Sequence, residues 1–364
     1  MNKILSIIVP TYNMEQYLDR DLKSLIIEDK ELMMSLEVLV VNDGSKDKSS
    51  TIAHNYETLY PDTFRVIDKE NGNYGSCINR GLKEAKGKYI RIMDADDWYD
   101  TRNFEIYLRK LYDIDVDKIA TIFSDVTDSG KKVREQPYPP EQVMNMEDVS
   151  EVNYIPMHAI TYNTQFLRDL NYTQTEGMSY TDQEWILLPM PFVKTLYYIP
   201  LDVYQYYTGR EGQTMDPKVM QKAYPQLFHA LYRVLIEYRK SLPKATNPAY
   251  TLESVTRTIE WLYEIAFLTV RFQGNTECVK QMDEMIEESY PSIYQRLADK
   301  MLSRRLYRYH YVTEWRKRGR PLHISTQHER YYKLTHFYIG ICRLPIYLIG
   351  VIQRRITKRL KHCK

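Results

Sequence analysis

The protein has 364 residues, of which 43% are hydrophobic and 27% are charged. This composition supports a sizeable buried core and argues against a globally disordered chain. The four cysteines lie far apart without metal-ligand spacing, and no run of 18 uncharged apolar residues is present. A disulfide framework and a conventional transmembrane helix are therefore not expected, and a reducing cytoplasm is the expected location.

The net charge of +2 is unevenly distributed along the chain. Residues 301–364 hold 16 lysines and arginines against 2 acidic residues, whereas residues 1–300 hold 34 against 46. Within the basic part, an apolar and aromatic run begins at residue 331 and a basic amphipathic end follows it. Residues 331–364 are therefore predicted to associate peripherally with an anionic membrane surface. The acidic balance of the first 300 residues argues against nucleic acid as a partner.

Strands and helices are predicted to alternate over the first hundred residues. Apolar runs followed by polar turns predict strands, and apolar residues at helical spacing predict helices. The predicted strands are 4–10, 36–42, 64–67 and 89–93, and the predicted helices are 17–27, 47–60 and 77–86. This alternation indicates βαβ units and an α/β fold with a Rossmann-like, mostly parallel sheet flanked by helices.

The remaining elements are predicted to be more varied. In order they are a helix at 102–114, a strand at 118–125, a hairpin and loop at 127–150, strands at 157–162, 195–199 and 202–207, and a helix at 164–170 capped by Thr164. Helical stretches dominate from residue 218. The predicted organisation is a catalytic domain at 1–217, divided into 1–100 and 101–217, a helical C-terminal extension at 218–330, and the basic tail at 331–364.

Polar residues follow the first, second and fourth predicted strands. They are Thr11-Tyr12-Asn13, Asn42-Asp43 and Asp94-Ala95-Asp96-Asp97. Ligands of parallel sheets bind at the carboxyl ends of the strands, so these residues are expected to meet at one edge. Carboxylates crowded there need a compensating cation, and oxygen ligands favour Mg²⁺ or Mn²⁺. Such a metal can hold the phosphates of a nucleotide.

Four ordered motifs in residues 4–100 resemble the nucleotide-sugar half of family 2 glycosyltransferases. The motifs are Ile8-Val9-Pro10-Thr11-Tyr12-Asn13, Val41-Asn42-Asp43-Gly44-Ser45, Asn79-x-Gly81-Leu82 with Gly87-x-Tyr89-Ile90, and Asp94-Ala95-Asp96-Asp97. Residues 180–185 and 207–213 resemble the acceptor half. The resemblance covers about residues 1–215 and implies the A-type glycosyltransferase fold.

The resemblance implies roles for the donor side of the site. Tyr12 would stack on the base, beside the backbone of Pro10, Thr11 and Asn13. Asp43 would accept a hydrogen bond from the base N3–H, which suits uracil and hence a UDP-sugar. Asp94, followed by Ala95, would lie by the ribose or a metal-bound water, and Asp96 would coordinate the metal. Ile78 stands where the family usually has an arginine.

The resemblance places the catalytic base on Asp182, although Thr181 replaces the usual glutamate, and Glu184 is the alternative base. From its chemistry, Arg210 is a candidate second clamp on the phosphates, because a guanidinium pairs well with phosphate oxygens. His158 is a core histidine or an acceptor-site residue.

The predicted function is inverting transfer of a sugar from a nucleotide-sugar to a hydroxyl of a sugar or lipid-linked acceptor, in cell-surface polysaccharide or glycolipid synthesis. The leaving diphosphate needs a metal, and the attacking hydroxyl needs a base. A nucleotidyltransferase is the alternative, but Pro10-Thr11-Tyr12-Asn13 stands where its Gly/Lys/Arg-rich loop would follow the first strand. A nucleic-acid-binding protein acting through the basic tail is the third class.

Overall fold

The computed structural model describes residues 2–208, 213, 217–273, 276–304 and 307–337. The chain divides into two units. The first comprises the residues up to Val219 together with Gln226–Ile259, and the second comprises Met220–Pro225 and the described residues from Glu260 onward. A helical segment beyond residue 217, the predicted end of the catalytic domain, therefore packs with the first unit.

The first unit is built on one ten-stranded sheet. Its strands are β1 (Leu5–Thr11), β2 (Leu36–Asn42), β3 (Phe64–Asp68), β4 (Tyr89–Ile92), β5 (Trp98–Tyr99), β6 (Lys118–Thr127), β7 (Gly130–Arg134), β8 (Val143–Asn145), β9 (Ile160–Asn163) and β10 (Thr195–Tyr207). They lie in the order β3-β2-β1-β4-β9-β6-β10-β5, with β7 beside β6 and β8 beside β10. The neighbouring strands β3, β2, β1 and β4 are parallel to one another, and β6 is parallel to β10.

The helices predicted at 17–27, 47–60, 77–86, 102–114 and 164–170 are present close to those positions, whereas the short helix at 30–35 was not predicted. The helices before residue 200 are α1 (Leu18–Ser24), α2 (Lys30–Ser35), α3 (Ser49–Leu59), α4 (Asn73–Glu84), α5 (Thr101–Lys110), α6 (Thr164–Asp169) and α7 (Asp182–Leu187). Later ones are α8 (Pro217–Ser241), α9 (Pro248–Glu264), α10 (Glu277–Ser289), α11 (Pro291–Ala298) and α12 (Tyr311–Lys317). All seven residues of β2 are buried, as expected for a strand covered on both faces. The predicted α/β class is confirmed.

Three local predictions were wrong. Helix α6 is capped by Asn163 and not by Thr164, because the Asn163 carboxamide accepts from the main-chain N–H groups of Gln165 and Phe166 at 2.9 and 3.1 Å. The two strands predicted at 195–207 are one strand, β10, whose pairing with β6 shifts register between Ile199 and Tyr204. The strand predicted at 157–162 begins with a 3₁₀ turn and becomes extended only at residue 160.

The second unit contains a short hairpin of β11 (Leu302–Arg304) and β12 (Tyr307–Tyr309) beside its helices. A buried carboxylate holds these helices together. Asp283 of α10 is fully buried and pairs with Arg316 of α12 and with Arg320, each at 2.7 Å. Within the part of the chain that the structure describes, no helix is long and apolar enough to cross a bilayer.

Candidate functional site

The carboxyl ends of β1, β2 and β4 lie side by side at one edge of the sheet. In the parallel pairing, Pro10 lies opposite Val41, Thr11 lies opposite Asn42, and Ile8 lies opposite Ile92. The loops that follow these three strands therefore leave the sheet at the same edge. The structure thus brings together the three polar segments that the sequence singled out.

The loop after β1 presents one exposed ring on a fixed backbone. Tyr12 is 47% exposed, whereas Thr11 beside it is buried. Asn13 has a left-handed φ of 55° and is tied to the loop after β2 in both directions. Its N–H donates to Ser45 Oγ at 3.0 Å, and its Oδ1 accepts from the Lys46 N–H at 2.8 Å. The Tyr12 ring is therefore available as a flat surface for a planar ligand.

The Asp43 carboxylate fixes the start of helix α4. It accepts from Lys69 Nζ at 2.5 Å and from the N–H groups of Gly72 and Asn73, each at 2.9 Å. A carboxylate offers about four acceptor positions, and the Cys77 thiol is a further hydrogen-bond partner of this one. Asp43 is 3% exposed. Asp43 lies at the predicted edge of the sheet, and its contacts hold the loop that leads into α4.

The acidic turn after β4 places its three carboxylates in different surroundings. Asp94 is half-buried, Ala95 and Asp96 are buried, and Asp97 is completely inaccessible to solvent. Asp97 accepts from the Tyr204 hydroxyl at 2.6 Å and from the Tyr207 N–H at 2.7 Å. Burial, followed by the charges of Asp94 and Asp96, raises the pKa of Asp97 well above its usual range.

Three side chains converge where a divalent cation could bind. One ligand atom from each of Asp94, Asp97 and His158 lies within 4.8 Å of the others. The His158 ring stacks on Tyr206 with centroids 4.2 Å apart, and burial lowers the pKa of His158 to about 3. The imidazole is therefore neutral at pH 7, which is its ligand form. Two carboxylates and one imidazole fit Mn²⁺ or Mg²⁺, with the nitrogen favouring Mn²⁺.

This cluster includes only one of the two predicted metal ligands. Asp94 belongs to it, whereas the Asp96 carboxylate is not among its members. The main-chain oxygen of Asp96 accepts from Arg20 at 2.7 Å, and the Arg20 guanidinium lies 3.8 Å from the centre of the Trp98 ring. Arg20 thus fixes the backbone of the turn at Asp96.

Tyr74 lies between the acidic turn and the predicted base. Its hydroxyl, at the start of α4, donates to Asp94 Oδ1 at 2.7 Å. Burial raises the pKa of Tyr74 well above its usual range, and the charges of Asp94 and Asp182 add to that effect. The Asp182 charge also acts on the hydroxyls of Tyr154, Tyr180 and Tyr206. Asp182 therefore lies near several tyrosine hydroxyls, among them that of Tyr74 at the acidic turn.

The two candidate bases differ sharply in accessibility. Asp182 is half-buried at the first position of α7, and Gln183 Nε2 donates to its Oδ2 at 3.1 Å. Burial raises the pKa of Asp182 above its usual value. Glu184 is fully buried and accepts from the Thr175 N–H at 2.7 Å, from Thr175 Oγ1 at 2.6 Å and from Arg233 at 2.7 Å. Glu184 could take a proton from a ligand only after breaking these contacts.

Some residues at this site carried no assigned role in the sequence. Asp97 directly follows Asp94-Ala95-Asp96, so the sequence shows its acidic side chain but does not show its partners on β10. Tyr74 lies in the first turn of α4 and Arg20 lies in α1, and no spacing pattern marks them. The predicted phosphate contact Arg210 lies outside the described residues.

The family and fold comparisons agree with one another. The sequence model of glycosyl transferase family 2 matches residues 6–173. The putative glycosyltransferase EpsH of Bacillus subtilis is 35% identical over 127 residues, which are 35% of this chain and 36% of EpsH. The minor teichoic acid biosynthesis protein GgaB of Bacillus subtilis is 38% identical over 104 residues, which are 29% of this chain and 11% of GgaB. The chain thus spans about a third of EpsH and about a tenth of GgaB.

Solved structures share the fold over most of the chain. S. aureus TarS, residues 1–349, in complex with UDP has a TM-score of 0.63 at 16% identity, covering 93% of this chain and 91% of that one. The complex of the same protein with UDP-GlcNAc has a TM-score of 0.61 at 18% identity, covering 93% and 92%. At these identities the likeness shows a common fold.

Proposed function

We propose that the chain, which has the A-type glycosyltransferase fold, belongs through residues 6–173 to glycosyl transferase family 2. From that premise we propose that it is an inverting glycosyltransferase, which moves a sugar from a nucleotide-sugar to an acceptor hydroxyl. One observation carries the proposal: the hydroxyl of Tyr74 donates to Asp94 in the acidic turn and lies near enough to Asp182 for that charge to add to burial in raising the pKa of Tyr74. A donor bound at the sheet edge would therefore have its sugar close to a half-buried carboxylate.

The donor is proposed to be a UDP-sugar. Tyr12 offers an exposed ring for stacking, and Asp43 lies on the neighbouring loop as an acceptor for a base N–H. Pro10 and Thr11 are paired with β2, and Asn13 is bonded to the loop after β2, so the backbone on both sides of Tyr12 is fixed. The TarS structures of the same fold contain UDP and UDP-GlcNAc, which supports this choice of nucleotide. The proposed second phosphate contact is Arg210.

The proposed metal is Mn²⁺ or Mg²⁺, held by Asp94, Asp97 and His158 with Asp96 beside them. A divalent cation there would neutralise charge on the departing diphosphate as a Lewis acid. The protein side chains have the other tasks. Tyr74 orients the Asp94 carboxylate through its hydrogen bond, and the neutral imidazole of His158 is held by stacking on Tyr206.

Asp182 is the proposed general base. It would take the proton of the acceptor hydroxyl as the hydroxyl oxygen attacks the donor sugar, and a single base opposite the leaving group produces inversion. Because burial raises its pKa, Asp182 is a stronger base than an exposed aspartate. The tyrosines around it suit a hydroxyl-rich acceptor, since their rings cover sugar faces and their hydroxyls donate hydrogen bonds.

The cellular role is proposed to be synthesis of a cell-surface polymer or glycolipid. GgaB, with which this chain shares 104 aligned residues, is named for minor teichoic acid biosynthesis. Such acceptors are often lipid-linked, and residues 331–364 are proposed to hold the protein at the cytoplasmic face of an anionic membrane. Only residues 331–337 of that segment are described, and Phe337 there is exposed.

The test of this function is a thermal-shift and turnover screen of the full-length protein. UDP with Mn²⁺ is expected to raise the melting temperature, and a UDP-sugar is expected to be consumed in the presence of a glycan or glycolipid acceptor. GDP and CDP with Mn²⁺ serve as matched controls for the base. If no nucleoside diphosphate shifts the melting temperature and no nucleotide-sugar is turned over, the proposal fails.

A further inference from the structure

Residues 173–176, called here the linking segment, run between helices α4 and α7. Helix α4 holds one side of it by a reciprocal pair of hydrogen bonds. Asn79 Nδ2 donates to the Gln174 main-chain oxygen at 2.9 Å, and Asn79 Oδ1 accepts from the Gln174 N–H at 2.7 Å. A Cβ added at Gly75 would lie 2.0 Å from the Thr175 oxygen, so the two backbones are in direct contact.

Glu184 of α7 holds the opposite side of the linking segment. Its carboxylate accepts from both the N–H and the hydroxyl of Thr175, at 2.7 and 2.6 Å. The neighbouring Thr181 hydroxyl donates to Gln174 Oε1 at 3.0 Å. A fully buried carboxylate also needs a cationic partner, because an unpaired buried charge is strongly destabilising.

Arg233 of helix α8 supplies that cation. Its Nη1 donates to Glu184 Oε2 at 2.7 Å and to Thr175 Oγ1 at 3.1 Å, and its Nη2 donates to the Thr173 oxygen at 2.9 Å. One planar guanidinium thus binds both the glutamate and the segment that the glutamate holds. Helix α8 lies beyond residue 173, where the family match ends.

These contacts connect the two halves of the proposed reaction. Tyr74, in the first turn of α4, is bonded to Asp94, and α7 begins with Asp182, two residues before Glu184. The linking segment is bonded to both helices, so its position sets the distance between the donor edge and the base.

We propose that Arg233 is a positioning residue for sugar transfer, which acts through Glu184 and the linking segment to hold Asp182 at its distance from the donor. This inference rests on the proposed function. It gives Glu184 a positioning role in place of the catalytic one considered from the sequence. It also makes helix α8 part of the transfer machinery without contact to either substrate.

The experiment compares Arg233→Met and Arg233→Lys in the full-length protein, with Lys240→Met as the matched control. Lys240 is an exposed cation on the same helix and pairs with Glu237, three residues before it. Arg233→Met is expected to lower kcat roughly 100-fold, the effect of a displacement of about 1 Å at a reacting group. The Kd for UDP with Mn²⁺ is expected to stay within about twofold, since the sheet edge is untouched.

Arg233→Lys keeps the charge but loses the fork, so its kcat is expected to lie between those of Arg233→Met and the wild type. Lys240→Met is expected to match the wild type. A parallel fall in donor affinity and kcat would show general loosening of the fold and overturn the inference. So would wild-type kcat in Arg233→Met.

Hydrogen exchange measures the same contacts without any turnover. In Arg233→Met, the amides of residues 173–187 are expected to exchange faster, while those of β1, β2 and β4 keep their wild-type rates. Unchanged exchange at 173–187 overturns the inference even if no donor has been found, and the nucleotide screen separately decides the proposed function. If Arg233→Met does not fold, Glu184→Gln, which keeps the side-chain shape, takes its place with the same expected results.

Discussion

Replacing Asp182 by asparagine should separate donor binding from sugar transfer. The change keeps the shape of the side chain, and an amide oxygen can still accept from Gln183 Nε2, so α7 should keep its place. Loss of a general base costs about 10²–10⁴-fold in rate, or about 3–5 kcal/mol in the activation barrier. The Kd for UDP with Mn²⁺ should be unchanged, because Tyr12 and Asp43 lie on other loops.

The pH profile of transfer provides the sharper measurement. The base must be ionised to act, and burial raises the pKa of Asp182 above its usual value, which is near 3.9 in an unperturbed peptide. The wild-type rate should therefore fall as the pH drops through that raised pKa, at a higher pH than an exposed aspartate would give. Asp182→Asn should show a low rate without this acidic limb.

Glu184→Gln is the matched control for this experiment. It removes a carboxylate from the same helix, but one whose oxygens are already bonded to Thr175 and Arg233. Its rate should fall because Asp182 is less well positioned, yet the acidic limb should remain. If Asp182→Asn keeps the acidic limb and Glu184→Gln loses it, the assignment of the base is wrong.

Three further changes probe other parts of the site. His158→Phe keeps a ring against Tyr206 but removes the imidazole. The affinity for Mn²⁺, measured by calorimetry, should therefore fall at least about tenfold. An unchanged Mn²⁺ affinity would exclude His158 as a ligand. Tyr12→Ala should weaken UDP binding by about 1–3 kcal/mol, the value of base stacking, while Tyr12→Phe binds as the wild type does; equal binding by both variants would contradict stacking. Gly75→Ala places a methyl group 2.0 Å from the Thr175 oxygen. It should lower the free energy of unfolding, measured by urea titration, by about 1–3 kcal/mol. Wild-type stability would refute the close packing of α4 against residue 175.

The sheet and its functional edge were predictable from local patterns. Buried parallel strands are continuous apolar runs, and the polar residues that end them stand out, as at Tyr12, Asp43 and Asp94. Because parallel neighbours end at the same edge, sequence order alone predicts that these residues meet. The described register of β1 with β2 and β4 has this arrangement.

Contacts between distant parts of the chain were not predictable in this way. Asp97 bonds to Tyr204, 107 residues away, and Glu184 bonds to Arg233 across 49 residues. No periodicity relates such pairs, since they depend on how helices and strands pack. The N-cap of α6 was missed for a different reason: Asn163 and Thr164 are both capping residues, and only the backbone decides which of them stands at the first turn.

Asp283 shows how this chain neutralises a buried carboxylate with its own side chains. In the second unit, Asp283 pairs with Arg316 and Arg320 and also accepts from the Tyr263 hydroxyl at 2.8 Å. A buried carboxylate with two guanidinium partners is charge-compensated without any ligand. Such a group stabilises packing between helices and has no electrostatic reason to bind a metal.

Asp97 at the sheet edge is bonded differently. Its donors are a tyrosine hydroxyl and a main-chain N–H, both neutral groups. They replace hydrogen bonds that water would have made, but they leave the negative charge in place beside Asp94 and Asp96. Burial, followed by the charges of Asp94 and Asp96, accordingly raises the pKa of Asp97. Tyrosines at this edge thus orient carboxylates without neutralising them, which is the arrangement a site needs if a divalent cation is to supply the missing charge.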